Sequence, residues 1–141
     1  MSREDELRVA TIVGSAVNVD FQNQNYTLDG WGAVDDYVEL GPGRILFLEV
    51  ETSQKHPNTN VLKLWPYLYE NPQLTVVLAQ VFFPESPGLE SSRGKLAVWL
   101  GTQMESILYK RFVHTQLIVN RENGEIVGDI DKLLLALQDD A

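Results

Sequence analysis

Residues 45–53, Ile-Leu-Phe-Leu-Glu-Val-Glu-Thr-Ser, constrain this chain more than any other stretch. Side chains alternate between the faces of a strand, so Ile45, Phe47, Glu49 and Glu51 share one face and Leu46, Leu48 and Val50 the other. A run that is apolar on both faces belongs in the middle of a covered sheet. Two carboxylates at the end of such a strand are costly to bury unless water, protein donors or a cation compensate them. The segment therefore predicts a central strand and, at its end, a polar site that reads first as a metal site.

With 141 residues, 44% of them apolar, the chain can fill one hydrophobic core, and a single domain over residues 1–141 is expected. The absence of cysteine excludes disulfides and thiolate zinc or iron–sulfur sites and fits a cytoplasmic setting. No apolar run reaches the length of a membrane span, and the polar residues 1–6 do not form a signal peptide, so no membrane association is expected. Eleven basic residues against twenty acidic ones give a formal charge of -9. That balance opposes broad attraction to nucleic acid, so any phosphate contact has to be local or bridged by a metal ion. A homodimer would gather basic residues from two chains along one groove.

A first helix capped by Ser2 is expected to run to about Val17, with Val9, Ile12, Val13 and Ala16 inward and Leu7 off that face. Residues 18–32, rich in Asn, Gln and Gly, read as a loop. Residues 34–40 and 45–52 are two strands joined by Gly41-Pro42-Gly43-Arg44, a compact hairpin connection. Pro57 begins a helix to about Tyr69 with Val61, Leu62, Trp65 and Leu68 inward and Pro66 as a kink. Residues 74–83 predict another buried strand. After a loop over 84–92, residues 93–112 carry the strongest helical pattern, with Leu96, Trp99, Leu100, Gln103, Ile107 and Leu108 as its stripe. A strand over 115–119, a turn at Glu122-Asn123-Gly124 and a helix from Asp129 to Leu137 follow. This order predicts an α/β fold in which helices cover a mixed central sheet.

With Pro42 and Gly43 at the hairpin tip, Leu40 faces Ile45, Val38 faces Phe47 and Asp36 faces Glu49. Asp36, Glu49 and Glu51 then share one face, directly opposed Cβ atoms lying about 5 Å apart. A one-residue slip puts Asp35 in place of Asp36. Two carboxylates about 5 Å apart at an effective dielectric of about 20 repel by roughly 3 kcal/mol, so a bare cluster protonates, splays apart or holds a cation. An all-oxygen set favours Mg²⁺ or Mn²⁺ over zinc, an ion that acidifies water and stabilises charge on a phosphoryl oxygen.

Asp36, then Glu49 and Glu51 separated by one hydrophobic residue, set on a hairpin between two helices, resemble the PD-(D/E)XK nuclease superfamily. Its fold is the restriction-endonuclease-like αβββαβ core, and the resemblance covers about residues 1–120. It implies a metal-dependent endonuclease that hydrolyses DNA phosphodiesters with Mg²⁺ or Mn²⁺. On that likeness Asp36 matches the motif Asp and Glu49 the second metal ligand. Glu51 stands where Lys is usual, an ExE variant in which it binds the metal or orients water. Lys63 would supply the missing cation, as in members whose lysine has moved to the following helix. Ser53 and Gln54 are similar to polar residues that follow the motif, and Glu6 would line the site. The alternative is a catalytically inactive member of the same fold that dimerises or binds a protein partner through Trp31 and the aromatic helices. With twenty acids in the chain, a chance pattern of solubilising strand residues is the plain competing explanation.

Residues 54–58 read as a polar loop able to touch phosphate near the metal. A Ser53/His56 nucleophile pair has no evident acid or oxyanion hole to support it. His114 reads as structural, Trp65, Tyr67 and Trp99 as core or interface packing, and Trp31 as a partner contact. Lys110-Arg111 reads as a charge cap on the preceding helix. Gly41-Pro42-Gly43 lacks the lysine and helix start of a phosphate loop.

Overall fold

The computed structural model describes residues 3–51, 56–86 and 90–138, so the Ser2 cap, Ser53, Gln54 and Lys55 lie outside the described residues. In chain order the elements are α1 (Arg3–Val17), β1 (Tyr26–Thr27), β2 (Ala33–Val34), β3 (Asp36–Gly41), β4 (Arg44–Glu51), α2 (Pro57–Leu62), α3 (Leu64–Glu70), β5 (Thr75–Phe82), α4 (Ser92–Ile107), β6 (Phe112–Val119), β7 (Ile126–Gly128) and α5 (Ile130–Gln138). Strands β3-β4-β5-β6-β7 form one mixed sheet in that spatial order, parallel across β4-β5-β6 and antiparallel at both outer pairs. Strands β1 and β2 form a separate ribbon, β1 inside residues 18–32 that were expected to be a loop and β2 just after them, so that Val34, expected to open the first hairpin strand, belongs to the ribbon.

The two apolar faces of β4 go where the sequence directs them. Leu46, Leu48 and Val50 join Val9, Val13 and Val17 of α1 and Leu133 of α5 in a core on one side of the sheet. Ile45 and Phe47 join Val61, Leu64, Tyr67 and Leu68 of α2 and α3 and Ala97 and Met104 of α4 on the other. The helices crossing between the parallel strands β4, β5 and β6 thus all cover one face, as successive crossovers of a single hand require. No helix among the described residues is long and apolar enough to cross a membrane.

Four local features depart from the sequence reading. In α1, Ala16 is exposed and Ala10, Gly14 and Val17 are buried instead, a modest rotation of the inward face. The helix expected from Pro57 to Tyr69 is two helices broken at Lys63. Pro66 explains the break, because its ring excludes the carbonyl four residues back, at Leu62, and offers no N–H to it. Leu62 turns outward as a result and Tyr67 replaces it inside.

The inward face of helix α4 is rotated relative to expectation, Leu100 and Leu108 alone of the expected apolar stripe packing in the core. Leu96, Trp99 and Ile107 are exposed, while Gly94, Ala97, Gly101 and Met104 are buried. The reason is the His114 side chain standing up from β6. A Cβ added at Gly101 would lie 2.0 Å from its Nδ1, so only a small-residue face approaches the sheet there. The helix also ends at Ile107 and β6 begins at Phe112, earlier than expected. Arg111 caps a different helix from the one expected, its Nη2 donating to the carbonyls of Leu68 at 2.7 Å and Asn71 at 2.9 Å at the end of α3.

The fourth departure is the hairpin register. Gly41 pairs with Arg44 as the turn demands, and Gly43 takes the φ of +72° that the turn needs. A bulge between Glu39 and Gly41 then inserts one extra residue into β3. Beyond it Glu39 faces Ile45 and Asp36 faces Leu48, one residue away from the predicted pairing with Glu49.

At the far side, β7 pairs only with residues 117–119 of β6. The peptide groups of His114 and Gln116, which precede that point, are taken by side chains. The His114 N–H donates to Glu105 Oε2 at 2.9 Å, and Lys132 Nζ donates to the His114 carbonyl at 2.8 Å. The Gln116 N–H donates to Asp129 Oδ2 at 2.9 Å, so Asp129 serves the strand edge with its carboxylate.

The α4–His114 contact yields a direct expectation. Gly101→Ala should destabilise the protein by at least the roughly 1–3 kcal/mol of core overpacking, read as a lower denaturation midpoint, whereas Thr102→Ala on the exposed side should change little.

Candidate functional site: a carboxylate cleft beside Lys63

Glu49 and Glu51 both lie on the α2 side of β4 and are only 2% and 1% exposed. Their compensation comes from elements far apart in the chain. Glu49 Oε1 accepts from the backbone N–H of Asp35 at 3.0 Å, and Oε2 accepts from Lys63 Nζ. Lys63 sits at the helix break and also donates to the carbonyl of Ala33 at 2.6 Å and to Asn60 Oδ1 at 2.9 Å. An ammonium has three N–H donors, and these three partners use them all.

Glu51 is held more deeply. Asn60 Nδ2 donates to both of its oxygens, at 2.8 and 2.9 Å, and Gln80 Nε2 donates to Oε2 at 2.8 Å. Gln80 gives its other amide hydrogen to the Pro57 carbonyl at 2.9 Å. Its Oε1 accepts from Gln116 Nε2 at 3.1 Å and from His114 Nε2 at 2.9 Å. Because the Gln80 oxygen is the acceptor, the network assigns the proton to Nε2 of a neutral His114. Burial lowers His114 to about 4, which agrees with a neutral ring.

The expected acid and the observed one differ. Asp36 lies on the α1 side with its cross-strand partner Leu48, and its Oδ1 accepts from the N–H groups of Asn23 at 2.8 Å, Gln24 at 3.4 Å and Tyr37 at 2.8 Å. It ties down the loop after α1 and takes no part in the cluster with Glu49 and Glu51. The bulge in β3 puts Asp35 there instead, with its Oδ2 accepting from the Val50 N–H at 2.8 Å. Asp35, Glu49, Asn60 and Lys63 line a cleft of about 280 Å³, with Glu6 of α1 and Ala33 at its rim. Glu51 is buried behind it.

Burial dominates the electrostatics. Glu49 is raised from 4.5 to about 8, desolvation outweighing the pull of the Lys63 ammonium, with the charge of Asp35 adding to the rise. Asp35 and Glu51 are also raised by burial, against a backbone donor from Val50 in one case and the amides of Gln80 and Asn60 in the other.

Among the described residues no three Asp, Glu or His side chains converge as a closed metal cage. Asp35 and Glu49 reach one cleft, and two carboxylates completed by water and a phosphoryl oxygen suit the open, octahedral coordination of Mg²⁺. Asp35 and Glu49 are the pair that would hold an open ion, and Asp36, Glu49 and Glu51, the expected trio, do not come together.

Asn60 and Gln80 were missed in the sequence, although a lone amide within the apolar run 74–83 is itself a signal of a buried polar partner. His114 is structural as expected, Trp31 is 42% exposed with its Nε1 donating to Glu70 at 2.8 Å, and His56 pairs with Arg93 at 2.6 Å. No family model matches this chain, and no curated protein or solved structure shows significant similarity to it. The architecture defines the class directly: a mixed α/β protein with a five-strand mixed sheet flanked by helices.

The raised carboxylate gives a pH expectation whose sign is fixed. A group with a folded pKa above its unfolded value contributes stability below the unfolded pKa and loses it as pH rises through the folded one. Glu49 should therefore make unfolding easier as pH climbs from 4.5 toward 8. Glu49→Gln should flatten that part of the stability profile in denaturant melts, and an unchanged slope would contradict it.

Proposed function

We propose that this chain is a metal-dependent phosphodiesterase acting on DNA, built on a restriction-endonuclease-like core. The observation that carries the proposal is the meeting of Asp35, Glu49 and Lys63 in one cleft, with the lysine supplied by the helix break. The order of α1, the β3–β4 hairpin, a helical segment and a parallel strand supports the same reading. So does the position of the cleft, at the carboxyl end of β4 beside the crossover to β5, where open α/β sheets hold ligands.

Asp35 and Glu49 would hold Mg²⁺ or Mn²⁺, which when bound supplies charge neutralisation at the phosphate and a water of lowered pKa. The chain's own residues do the remaining work. Lys63 would turn the one N–H it gives to Glu49 toward a phosphoryl oxygen as negative charge grows there, keeping its bonds to Ala33 and Asn60. Glu51 acts one layer behind by holding Asn60 against Lys63. The acidic net charge is less of an obstacle locally, because residues 52–69 contain Lys55, His56 and Lys63 and no Asp or Glu.

The test separates the neighbouring acids. In Mn²⁺, plasmid DNA should be nicked by the wild type. Asp35→Asn, Glu49→Gln and Lys63→Met should each slow nicking by roughly 10²-fold or more, while Asp36→Asn, if folded, retains most of the activity. Loss of activity in Asp36→Asn alone would overturn this assignment of the acids.

The outward Leu96, Trp99 and Ile107 of α4, 51%, 61% and 60% exposed, favour a second reading: a catalytically silent member of the fold that associates through this helix. Silence toward Mn²⁺ in calorimetry, together with a dimer in sedimentation that Trp99→Asp dissociates, would select it over the nuclease.

A further inference from the structure

Lys63 is the most mobile type of side chain in the cleft, carried on a four-carbon stem at the junction of two short helices. Two of its three partners belong to the supporting structure: the Ala33 carbonyl and Asn60 Oδ1. The third is Glu49, the bond that has to be given up whenever either group meets a ligand. Asn60 can present its oxygen to Lys63 only while its amide nitrogen faces the other way. Both Glu51 oxygens accept from that nitrogen, so they fix the orientation. Glu51 is fixed in turn by Gln80, whose amide is satisfied on all sides by Glu51, Pro57, Gln116 and His114. A polar ladder therefore runs from the interior of β6, through β5 and β4, to the ammonium at the cleft.

We propose that Asn60 is the positioning residue for Lys63, and that the buried His114–Gln80–Glu51 ladder sets its orientation. The inference rests on the phosphodiesterase reading only for its catalytic consequence. The geometric content stands apart, because it concerns where the ammonium is held. Asn60 itself acts through Lys63 and touches no reacting atom.

The ladder has a specific signature. If Asn60 acts through Lys63, removing Asn60 matters only while Lys63 is present, so the effects of the two substitutions are strongly non-additive. A residue that merely stabilises α2 would give additive effects. Mn²⁺ binding by Asp35 and Glu49 should persist in Asn60→Ala, separating it from the loss expected in Glu49→Ala.

The experiment has two independent readouts on wild type, Asn60→Ala, Gln80→Met and Lys63→Met. Heteronuclear NMR of the Lys63 ammonium reports its hydrogen bonding with no substrate or metal present. Slow proton exchange is expected in the wild type, with protection lost in Asn60→Ala and reduced in Gln80→Met. Plasmid nicking in Mn²⁺ should fall in kcat by up to about 100-fold in Asn60→Ala, the scale of a displaced reacting group, with little change in KM. The double variant Asn60→Ala/Lys63→Met should be no slower than Lys63→Met alone. Unchanged protection in Asn60→Ala, or additive losses in the double variant, overturns the proposal. A wild type that does not nick sinks the phosphodiesterase reading, while loss of ammonium protection in Asn60→Ala in that same case leaves the positioning of Lys63 by Asn60 supported. Asn60 is only partly buried, so its alanine variant should fold, and Gln80→Met keeps the side-chain volume if it does not.

Discussion

Two carboxylates buried at the end of a central strand set the terms on which the rest of the molecule is assembled. Glu49 and Glu51 cannot occupy the α2 side of β4 unless N–H donors arrive from several directions. Those donors come from the approach to β3, from the helix break, from α2 and from β5. Each element is thereby tied to the same pair of side chains. Removing one donor leaves a buried carboxyl oxygen unpaired, and that penalty exceeds the ordinary worth of a hydrogen bond. A polar network satisfied in this way fixes relative positions that apolar contacts alone would leave adjustable.

Two local irregularities bring the chemically active groups to that network. The bulge before Gly41 moves β3 by one residue, exchanging Asp36 for Asp35 on the α2 side. Pro66 interrupts the helix after Leu62, and Lys63 occupies the junction with its side chain in the cleft. A regular hairpin would place Asp36 opposite Glu49. Both devices are single-residue events whose effects reach several ångströms, and both occur next to residues with a proposed role in chemistry.

Much of the frame was legible in the sequence because hydrophobic periodicity reports burial. The doubly apolar β4, the apolar run of β5 and the alternation of helices with strands all follow from it. Glu49 and Glu51 were legible because carboxylates ending a buried strand need compensation, whereas Lys63 was reached only through the family resemblance. The register was not, since a bulge leaves almost no trace in residue type. The inward face of α4 was misread for a different reason: Leu96 and Trp99 look like core, but the space available is set by His114 on another strand, and only Gly101 fits it. Asn60 and Gln80 acquire meaning only through partners distant in the chain, Gln80 and Glu51 being 29 residues apart.

The treatment of β6 has a consequence for the protein in a crowded solution. Where β7 stops, the outward peptide groups of His114 and Gln116 are claimed by Glu105, Lys132 and Asp129, and Glu105 and Lys132 bind each other at 2.8 Å. An incoming strand from another molecule would have to displace these side chains, an ion pair among them, to bond the His114 and Gln116 peptides. Along that stretch of β6 three ordinary side chains thus stand in place of an additional strand, and templated pairing meets charge where open peptide groups would have invited it.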